Sequence, residues 1–265
     1  VTLVVAHRGS SGSYAEHTLT AYETAIEEGA DALECDVRMT SDGVLVCVHD
    51  RRVDRTSDGR GVVSALELAQ LADLDFASWK ARQTDPLLTA SWEEPDVDGA
   101  AVLTLERLLQ LVTRQDRRVE LHVETKHPTR YGGLVERALV DLLERYDLAR
   151  PASRPDSLVT VMSFAPTSLR RIHAMAPRLS TVFLMSRVPL RYRDGSLPPR
   201  VDIAGPSLEI LKAHPGYVAR VHAMGHRVHV WTVDSEVDIK EVLALGVDAV
   251  ITDHPRRVRR QLERA

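Results

Sequence analysis

Short apolar runs recur along the chain, separated by longer stretches whose apolar positions follow a helical spacing. The runs begin near Leu3, Ala32, Val119, Leu158, Ser180, Val201, Arg227 and Asp248. Each gives way within a few residues to polar or turn residues, as a buried strand does. Between them, Glu16 to Gly29 sets Leu19, Tyr22, Ala25 and Ile26 on one face and stops at a glycine. Leu103 to Val112 sets Leu105, Leu108, Leu109 and Val112 on one stripe, with Thr104 placed to cap it. Leu134–Tyr146, Pro166–Met175, Pro215–Met224 and Val237–Leu245 read as further helices. Strands alternating with helices predict an α/β fold with a parallel sheet. Eight such strands predict a (β/α)₈ barrel. An open doubly wound sheet is the alternative, but Gly9-Ser10-Ser11-Gly12 after the first strand lacks its phosphate-binding spacing.

One stretch departs from this alternation. Gly29 to Asp50 reads as two apolar arms about a polar turn at Met39 to Gly43. The turn is too short for a parallel crossover, so Val44 to Val48 is expected to be an extra antiparallel strand after the second barrel strand. Glu34 and Asp36 share a strand face, and the hairpin is expected to set one of them opposite His49. Residues 51–100 then lose the pattern. Asp54 to Gly61 is turn-rich, Ser64 to Leu74 helix-like, and Phe76 to Gly99 irregular. This segment is read as a small insertion with its own core, packed on a single barrel domain spanning 1–265.

Composition narrows the class further. Of 265 residues, 44% are hydrophobic and 27% charged, which supports a buried core and argues against disorder. The net charge of −4 and the absence of a basic patch argue against nucleic acid as partner. The basic run Arg256 to Arg260 has a helical pattern and reads as cations near a helix C-terminus or a solvated face rather than a binding tail. No apolar run reaches membrane-spanning length. Cys35 and Cys47 lie on the two hairpin arms and are expected to face opposite ways, without a disulfide. A cytoplasmic location is expected, with secretion the alternative if a leader once preceded Val1. Nothing in the sequence sets an oligomeric state.

The chemistry gathers at the strand ends, where barrel active sites lie. Those ends carry His7 and Arg8, Glu34 and Asp36, Glu124 and Lys126, Ser163, Trp231 and Asp253, and the hairpin adds His49. So many carboxylates at one mouth call for a cation, and their oxygens suit Mg²⁺ or Ca²⁺. Two imidazoles serve as general base and general acid about one centre. Arg8 suits bidentate contact with a phosphate, and Lys126 adds a point charge. Together they predict transfer of a phosphoryl group from a diester. Singly, each has a plainer reading. His7 alone would be a strand-end histidine bonded to a carbonyl, and Lys126 a solvated lysine. Trp231 reads as pocket wall or core, and Asp253 as a helix cap before Pro255. His122 shares the face of Glu124 and Lys126, and core packing is its expected role. His127, His229 and His254 receive none.

The motifs AHRG, AEHT, GADALECDV, SDG, VHD, DRTSDGRG, VETK, SF, VHVWTVD and GVDAVITDHP follow in that order across nearly the whole chain. In this order they resemble the glycerophosphodiester phosphodiesterase family, within the wider group of phospholipase C-like barrels. The resemblance implies a TIM barrel, with residues 51–100 as the family's insertion. It implies one divalent cation, Mg²⁺ or Ca²⁺ with Mn²⁺ a further candidate, held by Glu34, Asp36 and Glu124. It implies His7 and His49 as the acid–base pair, Arg8 and Lys126 at the phosphate, and a small glycerophosphodiester as substrate, with Glu16 and Trp231 near the pocket. His7 is expected to take the nucleophile's proton and His49 to protonate the leaving alcohol, the nucleophile being water or the glycerol 2-hydroxyl. The chain departs from the family at His17, where Asn is usual, and at Val102 to Leu105, where a proline-containing turn is commoner. Two other functions share these residues. One is a lysophospholipase D- or sphingomyelinase D-like diesterase forming a cyclic phosphate, with Val188, Pro189, Leu190 and Tyr192 as an apolar surface. The other is a non-catalytic barrel that binds phosphate or metal.

Overall fold

Strand alternation is what builds this molecule, because it sends every second side chain into a closed interior. The computed structural model describes residues 2–83, 100–130 and 132–264. Among them run nine strands: β1 (Leu3–His7), β2 (Ala32–Met39), β3 (Leu45–Cys47), β4 (Glu120–Thr125), β5 (Val159–Ser163), β6 (Ser180–Met185), β7 (Ile203–Pro206), β8 (Arg227–Val230) and β9 (Ala249–Thr252). Eight pair in parallel and close through β1 against β2, and β3 lies outside the ring on β2. This is the expected α/β architecture, a TIM (β/α)₈ barrel with one extra antiparallel strand.

The interior and the outer layer separate by residue parity. Val5, Ala32, Met162, Val182, Leu184, Ile203, Ala249 and Ile251 fill the barrel. Their strand neighbours Leu33, Cys35, Val37, Leu121, Val123, Val159 and Val161 pack outward beneath the helices. Gly205 faces the interior, where an added Cβ would stand 2.7 Å from Val182 Cγ1. Only a residue without a side chain fits there. Thr104 caps the helix Leu105–Thr113 by accepting from the Arg107 amide, as expected. The helix after β1 starts later than its pattern suggested, at Leu19, because Thr18 caps it and His17 before it is left-handed (φ 62°). A short helix, Leu208–Ala213, follows β7 where none was expected. It spans less than two turns, too short for a periodic signal.

The hairpin corrects two expectations through its register. Val37 faces Cys47 and Met39 faces Leu45, so Asp36 lies opposite Val48, whose amide donates to the Asp36 carbonyl at 3.0 Å. His49 therefore opposes neither Glu34 nor Asp36. It lies past the end of β3, in a turn held by Arg38, whose Nε and Nη2 donate to the His49 carbonyl at 3.0 and 2.7 Å. The same register puts Cys47 on the outer face with Cys35, not opposite it. Both are buried free thiols in one apolar cluster.

Within the segment after the hairpin, Val53, Val63, Leu71 and Phe76 pack with Val46, Val48 and Val102. The helix-like stretch is a 3₁₀ turn, Val63–Ala65, followed by a helix at Leu68–Ala72. A further helix at Ser78–Gln83 occupies part of the stretch read as irregular, and residues 84–99 lie outside the described residues. Among the described residues no helix is long and apolar enough to cross a membrane.

Two histidines occupy the barrel interior below the mouth. His122 and His229 stack with ring centroids 5.4 Å apart and planes 9° from parallel. Among the described residues none of their four ring nitrogens has a hydrogen-bond partner; Glu120 Oε2 stands 3.7 Å from His122 Nε2, beyond hydrogen-bond length. Burial first, then His122 and Arg227, holds His229 well below the ordinary histidine range. Unfolded, His229 takes up a proton as pH falls through about 6.5, while the folded protein resists it, so stability falls on acidification by about 1.4 kcal/mol per pH unit for this group. Urea unfolding between pH 7.5 and 5 is expected to show a shallower acid loss in His229→Leu than in the parent chain. Equal slopes would remove His229 from the account.

Candidate active site

The site starts at a strained turn. Arg8 and Gly9, just past β1, both have left-handed backbone (φ 56° and 87°), a conformation costly for arginine. A Cβ on Gly9 would come within 2.7 Å of the Ala21 backbone, so only glycine lets the chain turn so close to the following helix. The turn aims Arg8 back over the barrel mouth. Its amide donates to Glu34 Oε2 at 3.1 Å, its Nε stands 2.9 Å from Asp36 Oδ2, and its Nη1 donates to Glu16 Oε1 at 3.1 Å.

The three carboxylates come from two adjacent strands. The β2–β4 register sets Asp36 beside Glu124 and Glu34 beside His122. Glu34, Asp36 and Glu124 are all buried, and each offers an oxygen within 4.8 Å of the others. Lys126, next on the inward face of β4, places Nζ 2.9 Å from Glu124 Oε1 and 3.1 Å from Asp36 Oδ1. The electrostatics differ across the cluster. Burial, then the Asp36 charge, pushes Glu34 well above the carboxylate range. The same two causes push Glu124 up to about 8 against the pull of Lys126. Asp36 goes the other way: burial opposes its ionisation, but His17, Arg8 and Lys126 together hold it well below its ordinary value. The surroundings thus favour the charged form of Asp36 and draw both glutamates toward the protonated form.

Both histidines expected to do chemistry line one cavity of about 90 Å³ with Arg8, Glu34, Glu124 and Lys126. Each is anchored through Nδ1. His7 Nδ1 lies 2.6 Å from Asp253 Oδ1, and His49 Nδ1 lies 2.7 Å from Asp50 Oδ1. An ionised carboxylate only accepts, so the proton sits on Nδ1 and Nε2 is left for the cavity. Burial lowers His49 below the usual histidine range, against the pull of Asp36 and with the help of Arg8 and Lys126. The far wall is apolar, formed by Met162, Leu184, Ile251, Phe164 and Trp231. Phe164 meets Trp231 edge-on at 5.4 Å, and Trp231 Nε1 donates to the Gly205 carbonyl at 2.7 Å.

Glu16 does not line this cavity. It sits behind Arg8 and is gripped by both Nη atoms of Arg55 at 2.8 and 2.9 Å. Burial opposes its charge, but Arg55 and Arg8 pull its carboxyl down to about 2. Arg55 Nε also donates to Asp50 Oδ2 at 2.6 Å. One guanidinium from the segment after the hairpin therefore fixes both the support of Arg8 and the anchor of His49. His17 adds a second support: Nε2 lies 3.0 Å from Asp36 Oδ2 and Nδ1 2.8 Å from the Tyr22 hydroxyl. Four of these residues carry weight that the sequence reading did not give them: Asp50, Arg55, His17 and Asp253. Asp253 was discoverable, since it continues the inward parity of Ala249 and Ile251. Asp50 adjoins His49, but no sequence rule singles out Arg55 over its neighbours.

Residues 7–257 match the model of the glycerophosphoryl diester phosphodiesterase family. The chain is 46% identical over 263 residues to a Mycobacterium tuberculosis protein named probable glycerophosphodiester phosphodiesterase 1, covering 98% of this chain and 92% of that one. It is 34% identical over 257 residues to a Bacillus subtilis glycerophosphodiester phosphodiesterase, covering 96% of this chain and 84% of the relative. Its fold matches an Oleispira antarctica phosphodiesterase solved with the product sn-glycerol-3-phosphate, at a TM-score of 0.83 and 24% identity over 99% of this chain and 97% of that one. A Parabacteroides distasonis glycerophosphodiester phosphodiesterase superposes with a TM-score of 0.78 at 24% identity, over 99% of this chain and 97% of the other. The chain belongs to the glycerophosphoryl diester phosphodiesterase family.

Proposed function

We propose that this chain hydrolyses glycerophosphodiesters to an alcohol and glycerol 3-phosphate. In this reading Glu34, Asp36 and Glu124 hold a divalent cation, Arg8 and Lys126 bind the phosphate, and His7 and His49 move the protons. The observation that carries it is one cavity in which two imidazoles, each anchored on a carboxylate, share the lining with two cations and with Glu34 and Glu124, two members of the three-carboxylate cluster. The names of the relatives and the glycerol phosphate bound to the structural neighbour support the choice of substrate.

The donor set fits a hard divalent cation, being three buried carboxylates with oxygens within 4.8 Å of one another. Such an ion supplies Lewis-acid withdrawal of charge from a phosphoryl oxygen. The charge balance points the same way. Three carboxylates face two side-chain cations. A divalent ion leaves one net positive charge, which matches the single negative charge of a phosphodiester. With such an ion bound, Arg8 and Lys126 would be shared between the carboxylates and the phosphate oxygens. One imidazole takes a proton from the attacking water as its oxygen bonds to phosphorus. The other, protonated on Nε2 as well as Nδ1, gives its Nε2 proton to the alcohol oxygen as that phosphorus–oxygen bond breaks. The apolar wall of Met162, Leu184 and Trp231 excludes water from one side of the phosphate.

The lysolipid reading has one observation in its favour. Leu190, on the loop after β6, is 77% exposed. Tyr192 from the same loop is buried, at 7% exposure, and does not extend that surface. Detergent-dispersed lysolipid outcompeting glycerophosphocholine would select this reading.

Removal of either imidazole is expected to lower kcat by about 10²–10⁴-fold, the usual effect of losing an acid–base group. His49→Ala that folds normally and keeps activity within threefold of the parent would end the assignment. Because Glu124 sits near about 8, cation binding at pH 7 must displace protons. Titration of Mg²⁺ or Ca²⁺ in buffers of different ionisation enthalpy is expected to show proton release, with affinity rising as pH approaches 8. Asp36→Ala is expected to abolish the binding heat, and unchanged heat would count against the ligand set.

A further inference from the structure

The hydrogen-bonded ladder around β4 ends just where Lys126 begins. β5 pairs with β4 as far as Glu124, and β2 pairs with it as far as Thr125. Lys126 comes next, and its amide reaches the Val37 carbonyl at 3.4 Å, a long contact. Side chains take over from the ladder. Ser163 Oγ donates to the Thr125 carbonyl at 3.0 Å, and Thr125 Oγ1 lies 2.8 Å from Ser168 Oγ. On the other side of Lys126, His127 Nε2 stands 3.2 Å from Glu136 Oε1. Glu136 belongs to the helix Leu134–Arg145. Arg171, from the helix Pro166–Met175, donates to the same Oε1 at 3.1 Å.

Glu136 is fully buried, and a buried carboxylate keeps its charge only with partners. Burial opposes that charge, but His127, its own backbone amide, Arg171 and Ser168 draw Glu136 down to about 2. Two of these partners flank Lys126. His127 follows it directly, and Ser168 meets Thr125, which precedes it. A carboxylate in the first turn of a helix caps that helix with its backbone contact alone. Capping asks for neither His127 nor Ser168. The Lys126 ammonium rides on a flexible four-carbon stem, so the backbone on either side decides where it can reach. We propose that Glu136 is a positioning residue for phosphate binding: through His127 and Ser168 it fixes the chain on both sides of Lys126 and so holds the ammonium at the catalytic cavity. The proposal rests on the reading above, in which Lys126 binds the phosphate.

Two measurements test this together: the KM for glycerophosphocholine, and binding of glycerol 3-phosphate followed by calorimetry at saturating Mg²⁺. The calorimetric arm reads the phosphate contact whether or not a diester is turned over. In Glu136→Gln both constants are expected to weaken by about tenfold, as loss of one charge-assisted contact provides, with kcat within about threefold of the parent. His127→Ala leaves Glu136 and its helix cap in place. It is expected to weaken both constants in the same direction, and it keeps the test available if Glu136→Gln fails to fold. In a Lys126→Met background neither substitution is expected to weaken binding further, because the group they position is gone. A Glu136 that only caps its helix would lower the thermal midpoint and leave both constants unchanged, and His127→Ala would then be silent. That result, or a loss as large in Lys126→Met as in the parent, would overturn the proposal. Lys126→Met that binds glycerol 3-phosphate as tightly as the parent would instead end the assignment of Lys126 to the phosphate, and the proposal with it.

Discussion

Three carboxylates share one buried volume at the mouth of this barrel, and most of the surrounding structure answers to that fact. At 4.8 Å, the outer limit of their mutual spacing, two negative charges repel by about 3.5 kcal/mol at an effective dielectric of about 20. Burial removes the water that would soften this. The structure responds by dividing the burden. Asp36 keeps its charge because Arg8, Lys126 and His17 all meet it, while Glu34 and Glu124 are pushed toward protonation. A cluster poised this way is suited to exchanging protons and two side-chain cations for one small divalent ion.

The fold makes that arrangement rigid with ordinary means. β2 is the longest strand and runs past its pairing with β1, which stops at Glu34. Its free edge then accepts β3 at Val37 to Met39, and the hairpin delivers His49 beside the cluster. The left-handed Arg8–Gly9 turn brings Arg8 over the same point. Arg55 ties the two together by holding Glu16, which supports Arg8, and Asp50, which anchors His49. Those contacts give the segment after the hairpin a reason to be there: it supplies the clamp that no barrel strand is placed to supply.

Much of this was legible from residue patterns because periodicity is a local property. Eight apolar runs and the polar residues at their ends were enough for the barrel and for Glu34, Asp36, Glu124 and Lys126, since parity along a strand decides which side chains converge. What escaped was nonlocal or short. The register of β3 depends on where β2 outruns β1, which no window of sequence contains. The partner of His7 lies 246 positions away, at Asp253, whose neighbour Pro255 suggested a helix cap instead. Arg55 sits in a turn-rich segment without a period. His17 drew notice only as a departure from a familiar motif. The structure gives it a role, a third partner to Asp36 beside Arg8 and Lys126, from a left-handed position.

The central claim is that the carboxylate cluster and the paired imidazoles together hydrolyse a glycerophosphodiester with a divalent cation. Phosphorus NMR of glycerophosphocholine incubated with the protein, with Mg²⁺ or Ca²⁺ and again with excess chelator, tests it most directly. The account predicts that the diester resonance is replaced by that of glycerol 3-phosphate with either ion and persists in chelator. Release of glycerol 3-phosphate at the same rate in chelator, or no product under any ionic condition, would contradict it.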